Sequence, residues 1–339
     1  NNAKYDDNYT ATYSVSGNTT TITNTHTPEE TSVKVVKTWN DTNNQDGVRP
    51  ESVTVQLYKN GKSMGESYKV ELPSSGNWEY EWTELDKKES GKDITYTVKE
   101  LNKSGTAVEN NAKYDDNYTA TYSVSGNTTT ITNTHTPEET SISVNKVWSD
   151  NNNQDGVRPE NVTVQLYKNG ESMGDDYKVT LPIDGNWEYE WTELEQKENG
   201  LDIEYSVKEL NALGTAVENG TTYDDNYAAT YEVSGNTTTI TNTHTPEKTS
   251  IKVVKTWNDA NNQDGVRPEN VAVQLYKNGT SMGNSYKVTL PVNGNWEYEW
   301  IGLDKKSEGN DIEYTVKELN ASGTAVENNT AYDSNYTAT

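Results

Sequence analysis

Val33-Lys34-Val35-Val36-Lys37-Thr38-Trp39 alternates with period two, so Val33, Val35, Lys37 and Trp39 share one side of an extended strand. Three of these are core-type residues and the fourth is a lysine. An ammonium on the apolar face of a sheet is costly unless it is paired or loses its charge. The pattern returns as Ile142, Val144, Lys146, Trp148 and again as Ile251, Val253, Lys255, Trp257. Lys146 lies 109 positions after Lys37, and Lys255 lies 109 after Lys146. Other motifs keep this spacing: Asp46-Gly47-Val48-Arg49-Pro50 becomes Asp155-Gly156-Val157-Arg158-Pro159, then Asp264-Gly265-Val266-Arg267-Pro268.

A unit of this length is large enough to be one domain with its own core. Asn1–Pro28 aligns with Asn110–Pro137, and the final Thr339 aligns with Thr121 and Thr230. The expected organisation is therefore four segments. Residues 1–28 are the final strands of a preceding or neighbouring-chain repeat. Residues 29–138 and 139–247 are complete repeats, and 248–339 is a repeat lacking its last strand. The chain reads as a window cut from a longer array.

The composition excludes several classes. There is no cysteine, so no disulfide framework or thiol metal site. A net charge of −25, spread through all repeats, argues against nucleic-acid binding. No apolar run is long enough to span a membrane. No Ser/His/Asp arrangement, phosphate loop or hydrolase-type carboxylate pair stands out, so no enzyme of external substrates and no cofactor is expected.

Within one repeat, Val53, Val55 and Leu57 alternate and run into the Asn60-Gly61 hairpin signal. Tyr68, Val70 and Leu72 follow, then Trp78, Tyr80 and Trp82 after a Ser75-Gly76-Asn77 turn. Ile94, Tyr96 and Val98 lead to Glu100. Tyr118 to Val124 reads as a strand, and Thr129, Ile131 and Asn133 share one face of the last. No stretch has helical periodicity, and many short strands between turn signals indicate an all-β chain of β-sandwich repeats. The joints, such as His135-Thr136-Pro137-Glu138-Glu139-Thr140, are short and carry proline.

Three polar residues thus stand on inward faces: Lys37, Glu100 and Asn133. The second repeat supplies Lys146, Glu209 and Asn242. The third supplies Lys255 and Glu318, and the equivalent asparagine in the first segment is Asn24. Buried together, such groups change character, because desolvation lowers a lysine pKa and raises a glutamate pKa. A neutral amine is a nucleophile, a carboxamide an electrophile, and a protonated Glu a proton shuttle. The product would be a Lys–Asn amide, formed once per repeat. The alternation equally allows a lysine that snorkels to water, a Glu that is merely its ion partner and an Asn that caps backbone.

The Lys37-Thr38-Trp39-Asn40-Asp41 run, the Asp46–Pro50 turn, Val55-Gln56-Leu57-Tyr58-Lys59-Asn60-Gly61, Asn77-Trp78, Tyr96-Thr97-Val98-Lys99-Glu100 and Ile131-Thr132-Asn133-Thr134 together resemble the Cna protein B-type domain, a stalk module of Gram-positive adhesins and pilins. The resemblance implies tandem Ig-like sandwiches of inverse-Ig type forming an elongated rod. It implies that Lys37 joins Asn133 with Glu100 assisting, and Lys146 joins Asn242 with Glu209. Lys255 and Glu318 match without an asparagine in their own repeat, so a head-to-tail filament would join Lys255 to Asn24 of another copy. The implied role is a structural stalk on the cell wall-associated outer surface of a Gram-positive bacterium. The implied partners are neighbouring repeats, other copies end to end, and a host ligand through regions outside this chain. An adhesive module that itself binds matrix protein or glycan is the alternative.

Weaker signals have plainer readings. The Asp41–Gly47 loop places Thr42, Asn151 and Ala260 first in an EF-hand frame, so an Asx-rich turn is expected rather than calcium. Trp39, Trp78 and Trp82 occupy strand alternation and read as core rather than as a sugar platform. His26, His135 and His244 stand singly at the joints, which is not a metal cluster.

Overall fold

Alternation becomes two packed sheets in the computed structural model, which describes residues 3–339. In the first complete repeat one sheet runs Ala112–Lys113, Thr119–Ser125, Thr128–Thr134, Glu30–Asn40, Glu79–Asp86. The other has Ser52–Lys59 between Tyr96–Leu101 on one edge and Lys69–Pro73 with Lys62–Ser63 on the other. Val33, Val35, Val53, Val55, Leu57, Leu72, Trp82, Val98 and Ile131 fill the space between them. Asn60 and Gly61 both take positive φ, 46° and 79°, as a tight hairpin turn requires.

The first strand, Glu30–Asn40, and the last, Thr128–Thr134, are parallel neighbours; Lys37 lies opposite Ile131 and Asn133 opposite Trp39. The other strand pairs of this repeat are antiparallel. In the second repeat Glu139–Ser149 pairs in parallel with Thr237–Thr243, placing Lys146 opposite Ile240 and Asn242 opposite Trp148.

Two details depart from simple alternation. Trp78 has φ +56° and stands just before its strand, turning its carbonyl to the Lys37 N–H at 2.7 Å. A bulky residue in the left-handed region is strained, and Trp187 and Trp296 repeat it. Tyr80, two residues from buried Trp82, is 41% exposed and meets the Trp82 ring edge-on. One short 3₁₀ turn joins strands in each repeat: Glu66–Tyr68, Asp175–Tyr177 and Asn284–Tyr286.

The third repeat differs at its first strand, which spans only Lys248–Val254 and pairs with Glu297–Asp304 alone. In the first repeat the residues beyond Val36 are held by the parallel neighbour. Without one, Lys255 falls outside the strand instead of on its buried face, and its side chain is 21% exposed. Residues Ala3–Lys4, Thr10–Ser16 and Thr19–Thr25 form a three-stranded sheet. The chain divides into two compact units. One holds the described residues up to Thr140 with Glu193–Ile203, the other Ser141–Thr192 with Glu204–Thr339.

Candidate functional site: a buried Lys–Glu–Asn triad

The parallel pairing brings Lys37 and Asn133 onto adjacent strands of one sheet, and Glu100 reaches them from the facing sheet. The Lys37 and Glu100 side chains are fully buried, and Asn133 is too. Asn133 Nδ2 donates to Glu100 Oε1 at 3.2 Å. Lys37 Nζ stands 3.8 Å from the same oxygen, too far for a hydrogen bond. It donates instead to the carbonyls of Thr38, 3.1 Å, and Ile131, 3.4 Å, and lies 4.3 Å from the Trp39 ring centre. Glu100 Oε2 and Asn133 Oδ1 are buried without a partner. The second repeat matches: Asn242 Nδ2 to Glu209 Oε1 at 3.1 Å, Lys146 Nζ to Oε1 at 3.8 Å, with Glu209 Oε2 and Asn242 Oδ1 unpartnered.

Burial disfavours charge on both members of each pair. It lowers Lys37 and Lys146, with the facing carboxylate pulling the other way, and it raises Glu100 and Glu209 against the pull of the lysine. The ion pair and the neutral amine-plus-acid pair carry the same number of protons. Desolvation therefore moves the balance toward the neutral pair, with amine, acid and carboxamide in one dry site.

A second network that sequence reading missed holds the rim. Arg49 makes two hydrogen bonds to Asp41, 2.9 and 2.6 Å, Tyr118 Oη donates to Asp41 at 2.8 Å, and Arg49 lies over the Trp39 ring. The constant eight-residue spacing of Asp41 and Arg49, kept in Asp150 and Arg158, was its only signal. Trp39 meets Trp78 and Tyr118 edge-to-face, at 5.3 and 5.0 Å, so Trp39 and Trp78 pack rather than form an open platform. The Asp41 carboxylate of the Asx-rich turn is taken up by Arg49, Tyr118 and the Asn44 N–H.

The third repeat has Lys255 Nζ 3.2 Å from Glu318 Oε1, with side chains 21% and 11% exposed. Asn24 lies opposite Ala11 on the Thr19–Thr25 strand and is exposed.

The joint histidines have defined partners. Within the first unit His135 presents Nε2 to Asp46 at 2.8 Å and Nδ1 to the Asn117 carbonyl at 2.9 Å, and Asp46 also accepts the Glu138 N–H. Within the second, His244 does the same with Asp155, 2.9 Å, and the Asn226 carbonyl, 2.9 Å, while Glu247 N–H reaches Asp155. Two acceptors facing one ring suit the imidazolium, which donates from both nitrogens. Beside them Gly47 meets Gly200, and Gly156 meets Gly309, so closely that a Cβ on either first glycine would fall 2.5 Å from the second's Cα.

Burial alone would lower His244, but its bonds to Asp155 and Asn226 and the nearby Asp150 raise it overall; burial would raise Asp155, but His244, the Glu247 N–H and Lys306 lower it. The raised histidine contributes stability below its unfolded pKa of about 6.5, lost as pH climbs through the folded value. The lowered aspartate contributes above about 3.9, lost as pH falls through its folded value. The melting-temperature difference between wild type and His244→Gln should thus be largest between about pH 4 and 6.5 and shrink toward pH 9. A difference that holds constant from pH 5 to 9 would leave the contact without an ionic component.

The family model for the Cna protein B-type domain matches residues 33–134, 142–243 and 251–339. A collagen adhesin of Staphylococcus aureus is 42% identical over 320 residues, covering 94% of this chain and 24% of its own length. The chain thus spans about a quarter of that relative. The crystal structure of two B repeat units (B1B2) of the collagen binding protein of Staphylococcus aureus is 39% identical, covers 94% of this chain and 75% of its own, and superposes with a TM-score of 0.50. A single B repeat unit of that surface protein is 36% identical, covers 64% of this chain and all of its own, with a TM-score of 0.27.

Proposed function

Since the chain belongs to the Cna protein B-type domain family, we propose that it is the structural stalk of a Gram-positive surface protein, each complete repeat locked by a self-made Lys–Asn isopeptide bond. The burial of Lys37, Glu100 and Asn133 in one dry site carries this reading. Neutral Lys37 Nζ attacks Asn133 Cγ; the Nζ–Cγ bond forms and the Cγ–Nδ2 bond breaks. Amine and carboxamide become a secondary amide and ammonia, with no oxidant or cofactor. Exchanging the ends of the Asn133 amide, with Glu100 protonated, turns their contact into an O–H donation onto Oδ1. That polarises the carbonyl for attack. Glu100 then passes its proton to the leaving nitrogen and takes one from the lysine. Confinement of the partners to one buried site on adjacent strands supplies the effective concentration. Glu209, Lys146 and Asn242 act alike.

Intact mass under denaturing conditions tests this. The wild-type chain should fall short of its sequence mass by two ammonias, and peptide mapping should place the links at Lys37–Asn133 and Lys146–Asn242. Lys37→Ala should restore one ammonia and leave the second link. Free Lys37 and Asn133 in the mature protein would end the covalent reading.

A second link, Lys255 of one copy to Asn24 of another, is supported by the ready Lys255–Glu318 pair and the exposed Asn24. A boiling-resistant ladder that vanishes in Asn24→Ala would support it, and monomers alone would remove it. Attachment to the cell wall is part of the same proposal. The relative is named a collagen adhesin; for this chain a host matrix ligand is likewise proposed, with these repeats carrying the binding region rather than forming it.

A further inference from the structure

The proposed reaction needs a carboxyl from one sheet placed against an amide and an amine from the other. The backbone ladders of either sheet leave that placement open, because Glu100 pairs with Val55 and Asn133 with Ala120 in separate sheets. One side chain bridges the gap. Val108 N–H donates to the Glu100 carbonyl at 2.8 Å, as in an antiparallel pair. The return bond is not made directly. Glu100 N–H instead donates to Tyr122 Oη at 3.0 Å, and Tyr122 Oη donates to the Val108 carbonyl at 2.8 Å. The hydroxyl is inserted between them with its donor and an acceptor site both used. Tyr122 stands on Thr119–Ser125 opposite Ile131, two residues from Ala120, the direct neighbour of Asn133.

We infer that Tyr122, and Tyr231 in the second repeat, are positioning residues for the crosslinking step: each hydroxyl holds the backbone of the proton-shuttling glutamate at a fixed distance from the strand pair that carries the asparagine. The second repeat repeats every contact: Glu209 N–H to Tyr231 Oη 3.0 Å, Tyr231 Oη to the Val217 carbonyl 2.8 Å, Val217 N–H to the Glu209 carbonyl 2.9 Å. Tyr231 lies opposite Ile240, and Ala229 opposite Asn242. Tyrosine suits this role because its rigid ring delivers one hydroxyl across the sandwich, where phenylalanine would leave the Glu100 N–H and the Val108 carbonyl apart and unjoined.

This inference rests on the isopeptide reading, and its test separates the two. Chains made in a short cell-free synthesis pulse are quenched in acid denaturant at successive times, and each link is followed by peptide mass. In Tyr122→Phe the first repeat should close about ten- to a hundredfold more slowly than in wild type, the scale expected for a misplacement of about 1 Å. The second repeat is the internal clock and should keep its wild-type rate. Tyr231→Phe should give the mirror result, which also serves if Tyr122→Phe folds poorly. Tryptophan fluorescence separates folding from closure, since a purely structural hydroxyl would delay folding and leave closure of folded chains at the wild-type rate. Closure of both repeats at wild-type rates after folding overturns the positioning role and leaves the crosslink standing. Absence of closure in the wild type overturns the crosslink itself.

Discussion

Stretched between its ends, the wild-type chain should yield no domain-length step from either complete repeat, whereas Glu100→Ala should release one step of about 300 Å from the first. Lys37 and Asn133 are 96 positions apart, and each freed residue adds about 3.5 Å of contour. With the bond formed, tension enters at Lys37, crosses its side chain to Asn133 and leaves without loading the residues between. Between the two closed rings lies only the stretch from Asn133 to Lys146, 13 positions. Single-molecule extension curves measure this directly. A full step from every repeat in wild type, at forces that unfold the Glu100→Ala repeat, would remove the mechanical role.

The other large effect is thermal. By analogy with a disulfide closing a loop of this length, the link should stabilise a repeat by about 4–5 kcal/mol through restriction of the unfolded chain. For a domain of this size that corresponds to a melting shift of roughly 20–30 °C. Glu100→Gln keeps the side-chain shape and an acceptor but cannot carry the proton, so the first repeat should melt that much earlier while the second keeps its transition. Lys37→Ala should also lose the link and leave Glu100 buried without a cation. The pair Lys37→Met with Glu100→Gln should be more stable than Lys37→Ala, because it removes both buried ionisable groups. Calorimetry with intact mass on the same samples decides it. A melting point unchanged in an unlinked variant would mean that packing alone sets stability.

The inward face of the first strand was legible because Val33, Val35 and Lys37 report their side through period two, whatever they later touch. Asn133 was legible for the same reason beside Ile131. That these two strands are parallel neighbours is a long-range fact that no local pattern carries. Trp78 misled because Asn77-Trp78 continues an alternation, while its positive φ is imposed by the turn and by its bond to Lys37. Tyr80 has the parity of buried Trp82, but parity says which way a side chain faces and not whether anything covers it. Lys255 shows the converse: its sequence matches Lys37, yet its strand stops at Val254, the residue before it, where no parallel neighbour pairs with it. The His135–Asp46 contact joins residues 89 positions apart and left no sequence trace beyond the single histidine.

The parallel register of first and last strands has a consequence that does not depend on the chemistry. The chain enters the repeat at the start of Glu30–Asn40 and leaves at the end of Thr128–Thr134, so a pull on the two ends slides these strands along each other. All hydrogen bonds between them then resist together in shear, instead of opening one by one as in a hairpin peeled from its tip. A repeat in which the amide has not yet formed is thus already a clamp. A repeat without the proposed link thus bears load up to the force that shears this strand pair, and gives up its length only beyond it.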